Sequence, residues 1–304
     1  MRLGRKGQME KILKKIIGAI VAITVICGVW PHSVAAETDG MGVSFNQLPG
    51  DEYIRDVEET TEETLETEAS KIAIDANHFP DENFRNYLKS NTDIDKNQDG
   101  YLTTTEIADT RTINVRDLGI ESLEGVEIFT NLKYLYCENN KLKSVDVSGN
   151  KNLIILFCND NQIATLDLSN NTKLENLACY QNQLKALDVT KLINLTNLDC
   201  DGNQITKLDL SKNSKLEELS CEFNALKSLD LSYNTSLTSL YCDNNYITSL
   251  NVSNCKNILY LYCHDNQLAN LDVTSLSQLK WLFCGENMLT ELDLSKNVTK
   301  KDYF

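Results

Sequence analysis

The densest chemistry in the sequence lies at residues 95–106, which read Asp95-Lys96-Asn97-Gln98-Asp99-Gly100-Tyr101-Leu102-Thr103-Thr104-Thr105-Glu106. Side-chain oxygens fall at loop positions 1, 3, 5, 9 and 12, as Asp95, Asn97, Asp99, Thr103 and Glu106; the Tyr101 carbonyl stands at position 7 and Gly100 at the sharp turn. Calcium takes six to eight oxygens in flexible geometry, and this is the twelve-residue spacing of an EF-hand loop. The expectation is one bound calcium, held as a standing structural cofactor with a dissociation constant on the order of 10⁻⁴ to 10⁻³ M or tighter. Phe84, Tyr87 and Leu88 recur at helical spacing within Asp81–Ser90, which reads as the incoming helix, and Thr103–Asp109 begins the outgoing one.

Covalent catalysis finds no comparable pattern. Cys263-His264 is the one adjacent Cys/His pair, and neighbouring strand residues point to opposite faces. No nucleophile elbow, phosphate loop or dinucleotide glycine motif is present. The chain reads as a binding protein, not an enzyme.

The elements that must position these residues are announced by the cysteines. Cys137, Cys158, Cys179, Cys200, Cys221, Cys242, Cys263 and Cys284 recur every 21 residues, and a fixed period of that length means a solenoid. Around them the pattern Leu132-x-x-Leu135-x-Cys137-x-x-Asn140-x-Leu142 returns through to Leu279-x-x-Leu282-x-Cys284-x-x-Asn287-x-Leu289. This is a leucine-rich repeat with cysteine in place of the central leucine. Alternation puts Leu135 and Cys137 inward and Tyr134, Tyr136 and Glu138 outward, so each repeat supplies one short parallel strand. The asparagines satisfy backbone groups of adjacent turns. Leu166-Asp167-Leu168-Ser169-x-Asn171 and its variants supply turn and cap residues. Ile113-x-Val115-x-x-Leu118-x-Ile120-x-x-Leu123 is a degenerate first repeat.

Identical positions on neighbouring strands lie about 4.8 Å apart with parallel side-chain directions, wider than a relaxed disulfide prefers. The periodic cysteines are therefore expected to be stacked, buried free thiols, and a linear ladder gives zinc no tetrahedron. Cys255 lies off the period in a turn and is expected to be the exposed, reactive thiol.

The outward strand positions form a concave face, the usual partner surface of a solenoid. Its amino-terminal end presents Tyr134, Tyr136, Phe157 and Tyr180. The middle presents Asp199, Asp201, Glu218, Glu222 and Asp243, and the far end Tyr241, Tyr260, Tyr262, Trp281 and Phe283. Aromatic clusters thus flank an acidic belt, with no lysine or arginine at these positions. Such a face suits partners that are basic or sugar-like.

Outside the repeats, six Lys and Arg residues precede the apolar run Ile16–Trp30, which leads to Val34-Ala35-Ala36. Residues 1–36 read as a secretory signal with a small-residue cleavage site, which sets the expected location as secreted or at the outer cell surface. The formal net charge of −15 becomes more negative once that basic segment is removed. A surface of this sign repels phosphate backbones and anionic lipid, so neither nucleic acid nor membrane insertion after cleavage is expected. Residues 37–70, rich in Asp and Glu and poor in apolar side chains, read as a disordered acidic linker.

A helical cap at 71–111 with the EF-hand loop, a solenoid over 112–299 and a short tail at 300–304 complete the domain plan. The cap covers the otherwise open apolar cross-section of the first repeat. At the far end, either Tyr303 and Phe304 fold over the edge, the edge pairs with another molecule, or the chain is a fragment of something longer.

Phe79-Pro80-Asp81, the calcium loop and the eight L-x-x-L-x-C-x-x-N units resemble the amino-terminal cap and repeats of internalin-type leucine-rich-repeat proteins, secreted by Gram-positive bacteria. The resemblance covers about residues 71–299. Internalins usually carry leucine at the cysteine position and 22-residue repeats, so this chain looks like a shorter-repeat relative, and their receptors are not carried over. The resulting expectation is a secreted or cell-surface recognition or adhesion module that binds a protein ligand. The alternatives are a carbohydrate-binding module and a targeting segment of a larger exported enzyme.

Overall fold

Nine short parallel strands stacked in chain order make the body of the molecule, from β3 (Thr112–Asn114) through β4 (Tyr134–Tyr136), β5 (Ile155–Phe157), β6 (Asn176–Ala178), β7 (Asn197–Asp199), β8 (Glu218–Ser220), β9 (Ser239–Tyr241) and β10 (Tyr260–Tyr262) to β11 (Trp281–Phe283). The computed structural model describes residues 71–297. The expected signal (1–36), linker (37–70) and tail (300–304) lie outside the described residues.

The register follows from the period. Ile113 pairs with Leu135, Leu135 with Leu156, Leu156 with Leu177, and so on to Leu261 with Leu282. Each rung is one turn of solenoid, and the core is the stack of inward leucines, isoleucines, valines and cysteines. The periodic cysteines are free and buried, except Cys284, which is half-buried on the last rung. Burial pushes the Cys158 thiol up to about 12, so these sulfurs behave as small apolar groups with little thiolate character.

Each strand ends in a turn that leaves carbonyls pointing at the core, and the repeating asparagine answers them. Asn203 Nδ2 donates to the carbonyls of Cys179 (3.0 Å), Cys200 (3.1 Å) and Asp201 (3.1 Å), while its Oδ1 accepts from Leu184 N–H at 2.9 Å. Asn161, Asn182, Asn224, Asn245 and Asn266 repeat the arrangement. The residue just before each asparagine is left-handed, for example Asn139, Asp160, Gln181 and Asn244. Phe223 holds the same conformation at φ 49°, which is costly for a bulky side chain.

A second asparagine ladder runs along the opposite side of the solenoid. Asn171 Nδ2 donates to the carbonyls of Val147 and Asn150, and Asn150, Asn213, Asn234 and Asn297 do the same on their turns. Cys255 stands 21 residues after Asn234 on this ladder. It is 0% exposed, with Sγ 3.6 Å from the Leu231 carbonyl and its thiol pushed up to about 11 by burial. The expectation of an exposed, reactive Cys255 is therefore wrong: being off the strand period placed it on a second buried period. The Asp row does cap turns as expected. Asp167 accepts from Ser169 N–H at 2.9 Å and Asp188 from Thr190 N–H, and Asn251 accepts from Ser253 N–H in the same way.

At the amino-terminal end, β1 (Ile72–Ala73) pairs antiparallel with β2 (Tyr101–Leu102), flanked by α1 (Glu82–Ser90) and the short α2 (Thr104–Asp109). Asp81 both caps α1, accepting from Phe84 N–H, and accepts from the Glu121 and Ser122 N–H groups of the first turn at 2.7 and 3.2 Å. Phe79 lies against Gly125, where an added β-carbon would stand 2.4 Å from its ring. Gly125 thus permits the close seating of these helices on the solenoid, at φ 98°. The second helix is one and a half turns long and gives way at once to β3, so a full EF-hand helix pair is not formed.

Asn203→Leu should cost about 3 kcal/mol, because it strands several buried backbone groups together. Cys255→Asn should add about 1 kcal/mol by extending the second ladder by one amide. Urea unfolding of both variants checks the pair.

Candidate functional sites

The loop at 95–106 turns between α1 and α2 with its donors partly engaged among themselves. Asp95 is 1% exposed; its Oδ2 accepts from Gly100 N–H at 3.1 Å, and its Oδ1 is buried with no hydrogen-bond partner. Asn97 Oδ1 accepts from Asp99 N–H, and Asp99 Oδ1 from Tyr101 N–H. Asp99 Oδ2 also lies 3.2 Å from Lys71 Nζ. Thr103 caps α2, and Glu106 closes the capping box: its Oε2 accepts from Thr103 N–H at 2.9 Å and its Oε1 from Lys96 N–H at 2.8 Å. Among the described residues, no three acidic, histidine or cysteine side chains converge as a metal cluster. The donor chemistry nevertheless suits a hard cation, and the orphaned Asp95 oxygen is a buried acceptor in search of one.

On the concave face the outward residues fall into three columns. The first runs Tyr134, Ile155, Asn176, Asn197, Glu218, Ser239, Tyr260, Trp281; the second Tyr136, Phe157, Ala178, Asp199, Ser220, Tyr241, Tyr262, Phe283. The third, two residues beyond each strand's last residue, includes Glu138, Tyr180, Asp201, Glu222, Asp243 and His264. The predicted aromatics are brought together as two groups. Tyr136 meets Phe157 edge-on at 5.6 Å between centroids. At the other end Tyr241, Tyr262 and Phe283 stack at 4.9 and 4.6 Å, and Trp281 lies parallel to Phe283 at 6.2 Å. Trp281 is 40% exposed; Tyr134, Tyr136, Phe157, Tyr180, Tyr241, Tyr260, Tyr262 and Phe283 are half-buried. The aromatics are therefore less open than the sequence suggests, because ring packing between rungs gives them a structural share.

Solved structures with this architecture are known. The functional domain of InlJ from Listeria monocytogenes, which includes a cysteine ladder, matches with a TM-score of 0.62 at 32% identity, over 75% of this chain and 55% of that one. Internalin C2 from Listeria monocytogenes matches at 0.55 and 24% identity, over 70% of this chain and 96% of that one. A leucine-rich-repeat protein of Leptospira interrogans matches at 0.53 and 21% identity, over 61% and 58%. The fold is an internalin-like leucine-rich-repeat solenoid. The chain spans a little over half the length of the InlJ and Leptospira structures. No family model and no curated protein matches the sequence.

Within this internalin-like solenoid the acidic belt is not a plain solvated surface. Glu218 is exposed and accepts from Asn197 Nδ2 at 2.9 Å, but Asp243 is only 3% exposed. Asp201 accepts from Ser220 Oγ at 2.8 Å and from Glu222 N–H at 2.6 Å. Burial, with Asp201 close by, pushes Asp199 up to about 7. Burial, with Asp243 two rungs on adding repulsion, pushes Asp201 up to about 6. Glu222 is pushed up to about 9 by burial first and by Asp243 and Asp201 after it. At neutral pH Glu222 keeps its proton and shares a hydrogen bond with Asp243.

Two participants were missed in the sequence. His264 reaches across one rung, Nε2 standing 3.4 Å from Asp243 Oδ2 and 3.6 Å from Asp265. Arg116, on the degenerate first rung, lies 4.3 Å over the Tyr136 ring, and its Nε donates to Glu138 Oε1 at 2.7 Å. Counting the third column back from Glu138 through that first rung would have found it. Cys263 and His264 do face opposite ways, the thiol into the core and the imidazole onto the concave rim.

The acidic belt sets a pH dependence. Asp199, Asp201 and Glu222 have folded-state values above those of an unfolded chain, so the native state binds more protons, and stability falls as pH rises from about 4 to about 9. Glu222→Gln removes the most strongly shifted group. It should raise the melting temperature at pH 8 by about 3 °C or more and flatten its decline between pH 5 and 8, measured by circular dichroism.

Proposed function

We propose that the chain is an exported recognition module that binds a protein partner on its concave face, with calcium in the 95–106 loop stabilising the amino-terminal cap. The observation that carries the reading is the face itself. An aromatic stack of Tyr241, Tyr262, Phe283 and Trp281 adjoins four carboxylates at Asp199, Asp201, Glu222 and Asp243. Rigid half-exposed rings beside partly desolvated charge are the composition of an interface centre. Carboxylates held in that state weaken the fold, and a ligand that uses them gives the arrangement a reason.

Calcium at the loop is supported by the buried, unpartnered Asp95 oxygen and by the oxygen donors at every expected position. Asp95, Asn97, Asp99, the Tyr101 carbonyl, Thr103 and Glu106 would hold it, Glu106 turning out of its capping box to do so. The ion would supply positive charge beside the Asp95, Asp99 and Glu106 carboxylates of the loop. Its place between α1 and α2 ties cap stability to the first turn through Asp81 and Gly125. Export is supported by the basic-then-apolar character of residues 1–36.

A glycan is the second reading, favoured by the parallel Trp281 and Phe283 rings, which offer a flat apolar platform. Probing protein and glycan arrays with the full chain in calcium separates the two. Protein hits lost on Tyr260→Ala, Tyr262→Ala and Trp281→Ala, with the melting temperature kept, support the proposal; hits that survive all three overturn it, as does glycan retention released by free sugar. Calorimetric titration with calcium should show one site and a raised melting temperature, both lost in Asp95→Ala. Absence of heat in the wild-type chain would leave the loop as a turn-forming element only.

A further inference from the structure

The amino-terminal end of the concave face contains a filled version of something that stands unfilled further along. Arg116 occupies, on the β3 rung, the column position that Glu138 holds on the β4 rung, because Ile113 pairs with Leu135. From there its guanidinium covers the Tyr136 ring at 4.3 Å and donates to Glu138 at 2.7 Å. The motif is an aromatic ring at a strand's last residue, a carboxylate two residues on, and a guanidinium supplied by the rung before.

Five repeats later the same two positions are Tyr241 and Asp243, and the position on the rung before is Glu222, not arginine. The ring and the carboxylate recur, and the internal cation is replaced by a further acid. From Tyr134 to Gly285 the three outward columns carry no lysine or arginine at all. Asp243 is 3% exposed, and its Oδ1 has no hydrogen-bond partner; the basic group in reach is His264, 3.4 Å from the other oxygen. Protonated Glu222 shares a hydrogen bond with Asp243, but a carboxylate this buried with no full cation beside it is costly, and the neighbouring acids cannot supply a positive charge.

We infer that Tyr241, Asp243 and Glu222 form a seat for an arginine side chain of the protein partner, its guanidinium lying over the Tyr241 ring and donating to the two carboxylates. The inference rests on the concave-face reading above and names the chemistry of the partner. Arginine fits better than lysine because a planar guanidinium stacks on a ring while its N–H fork meets a carboxylate, which a point-charge ammonium cannot do at once. A divalent ion fits less well, since the Tyr241 ring takes one side of the seat where oxygen ligands would be needed. The wall formed by Tyr241, Tyr262 and Phe283 extends from the seat and gives the partner's flanking residues an apolar surface.

The test uses the full chain with Trp30→Phe, so that Trp281 on the concave face is the one tryptophan. The probe is a blocked glycine peptide carrying two arginines, with its lysine counterpart as comparison, at low ionic strength. Arginine peptide should bind at one equivalent by calorimetry and shift Trp281 emission. Asp243→Asn and Tyr241→Leu should each weaken binding roughly ten-fold, the lysine peptide should bind several-fold less tightly, and Arg116→Ala should open the Tyr136–Glu138 seat and bring the stoichiometry to two.

Equal binding by the wild type and by both Tyr241 and Asp243 variants, equal binding of the lysine peptide, or displacement by manganese(II) would overturn the seat. Should Trp281 still respond to peptide in those variants, the seat fails while the concave-face reading stands. A peptide that binds without any Trp281 response goes against both.

Discussion

The capture of backbone carbonyls by a buried asparagine amide, once per turn, is the interaction on which the rest of this solenoid depends. A 21-residue turn leaves little chain between strand and return, so the segment after each strand cannot form regular structure of its own. Its inward-facing polar groups would be orphaned in an apolar core. Asn140, Asn161, Asn182 and their successors bridge to the turn before, each donating to a carbonyl of the preceding rung as well as its own. The amide therefore fixes rung spacing and strand register at the same time. Because every turn obeys one register, residues 21 apart become neighbours, and side chains far apart in sequence line up as columns. The aromatic stack and the acidic belt are consequences of that alignment.

The cysteines belong to the same constraint. At the innermost strand position, each turn must approach its neighbours closely, and a thiol is smaller than the leucine usual at that place while still apolar. Cys137 and Cys200 also lean their sulfurs towards carbonyls of the next rung, at 3.3 and 3.4 Å. Burial withdraws all of them but the half-buried Cys284 from solvent, so a ladder that looks reactive on paper is chiefly a packing device. Cys255 shows the same substitution on the second ladder, a sulfur standing where other turns carry an amide.

Much of this was legible in the sequence because the signal is arithmetic. The period gave the strands, the inward set and the concave list from Tyr134 to Phe283 without any knowledge of packing. The second asparagine ladder was only half visible: Asn171 and its equivalents look like ordinary turn formers, and their burial depends on the shape of the opposite wall. Leu192, Cys255 and Leu276 interrupt that row and hide its period. Burial within the columns was also out of reach, since whether Asp243 is solvated depends on the neighbouring rungs and on His264 crossing a rung. Arg116 escaped notice because its repeat is 22 residues and has Leu118, itself 40% exposed, where the others have asparagine.

The acidic belt is where the fold departs from its own logic. Everywhere else each rung supports the next, whereas Asp201, Glu222 and Asp243 set like charges about one strand spacing apart, on a surface half withdrawn from water. The molecule relieves this by keeping protons on some of the acids, which weakens the folded state as pH rises. A neutral column would be more stable, and the chain has neutral residues at the same positions nearby, at Asn159 and Tyr180. At the amino-terminal end it also has the alternative remedy in Arg116. Local conflict of this kind, in a structure otherwise consistent from propensity to packing, is the physical signature of a site kept for use rather than for stability.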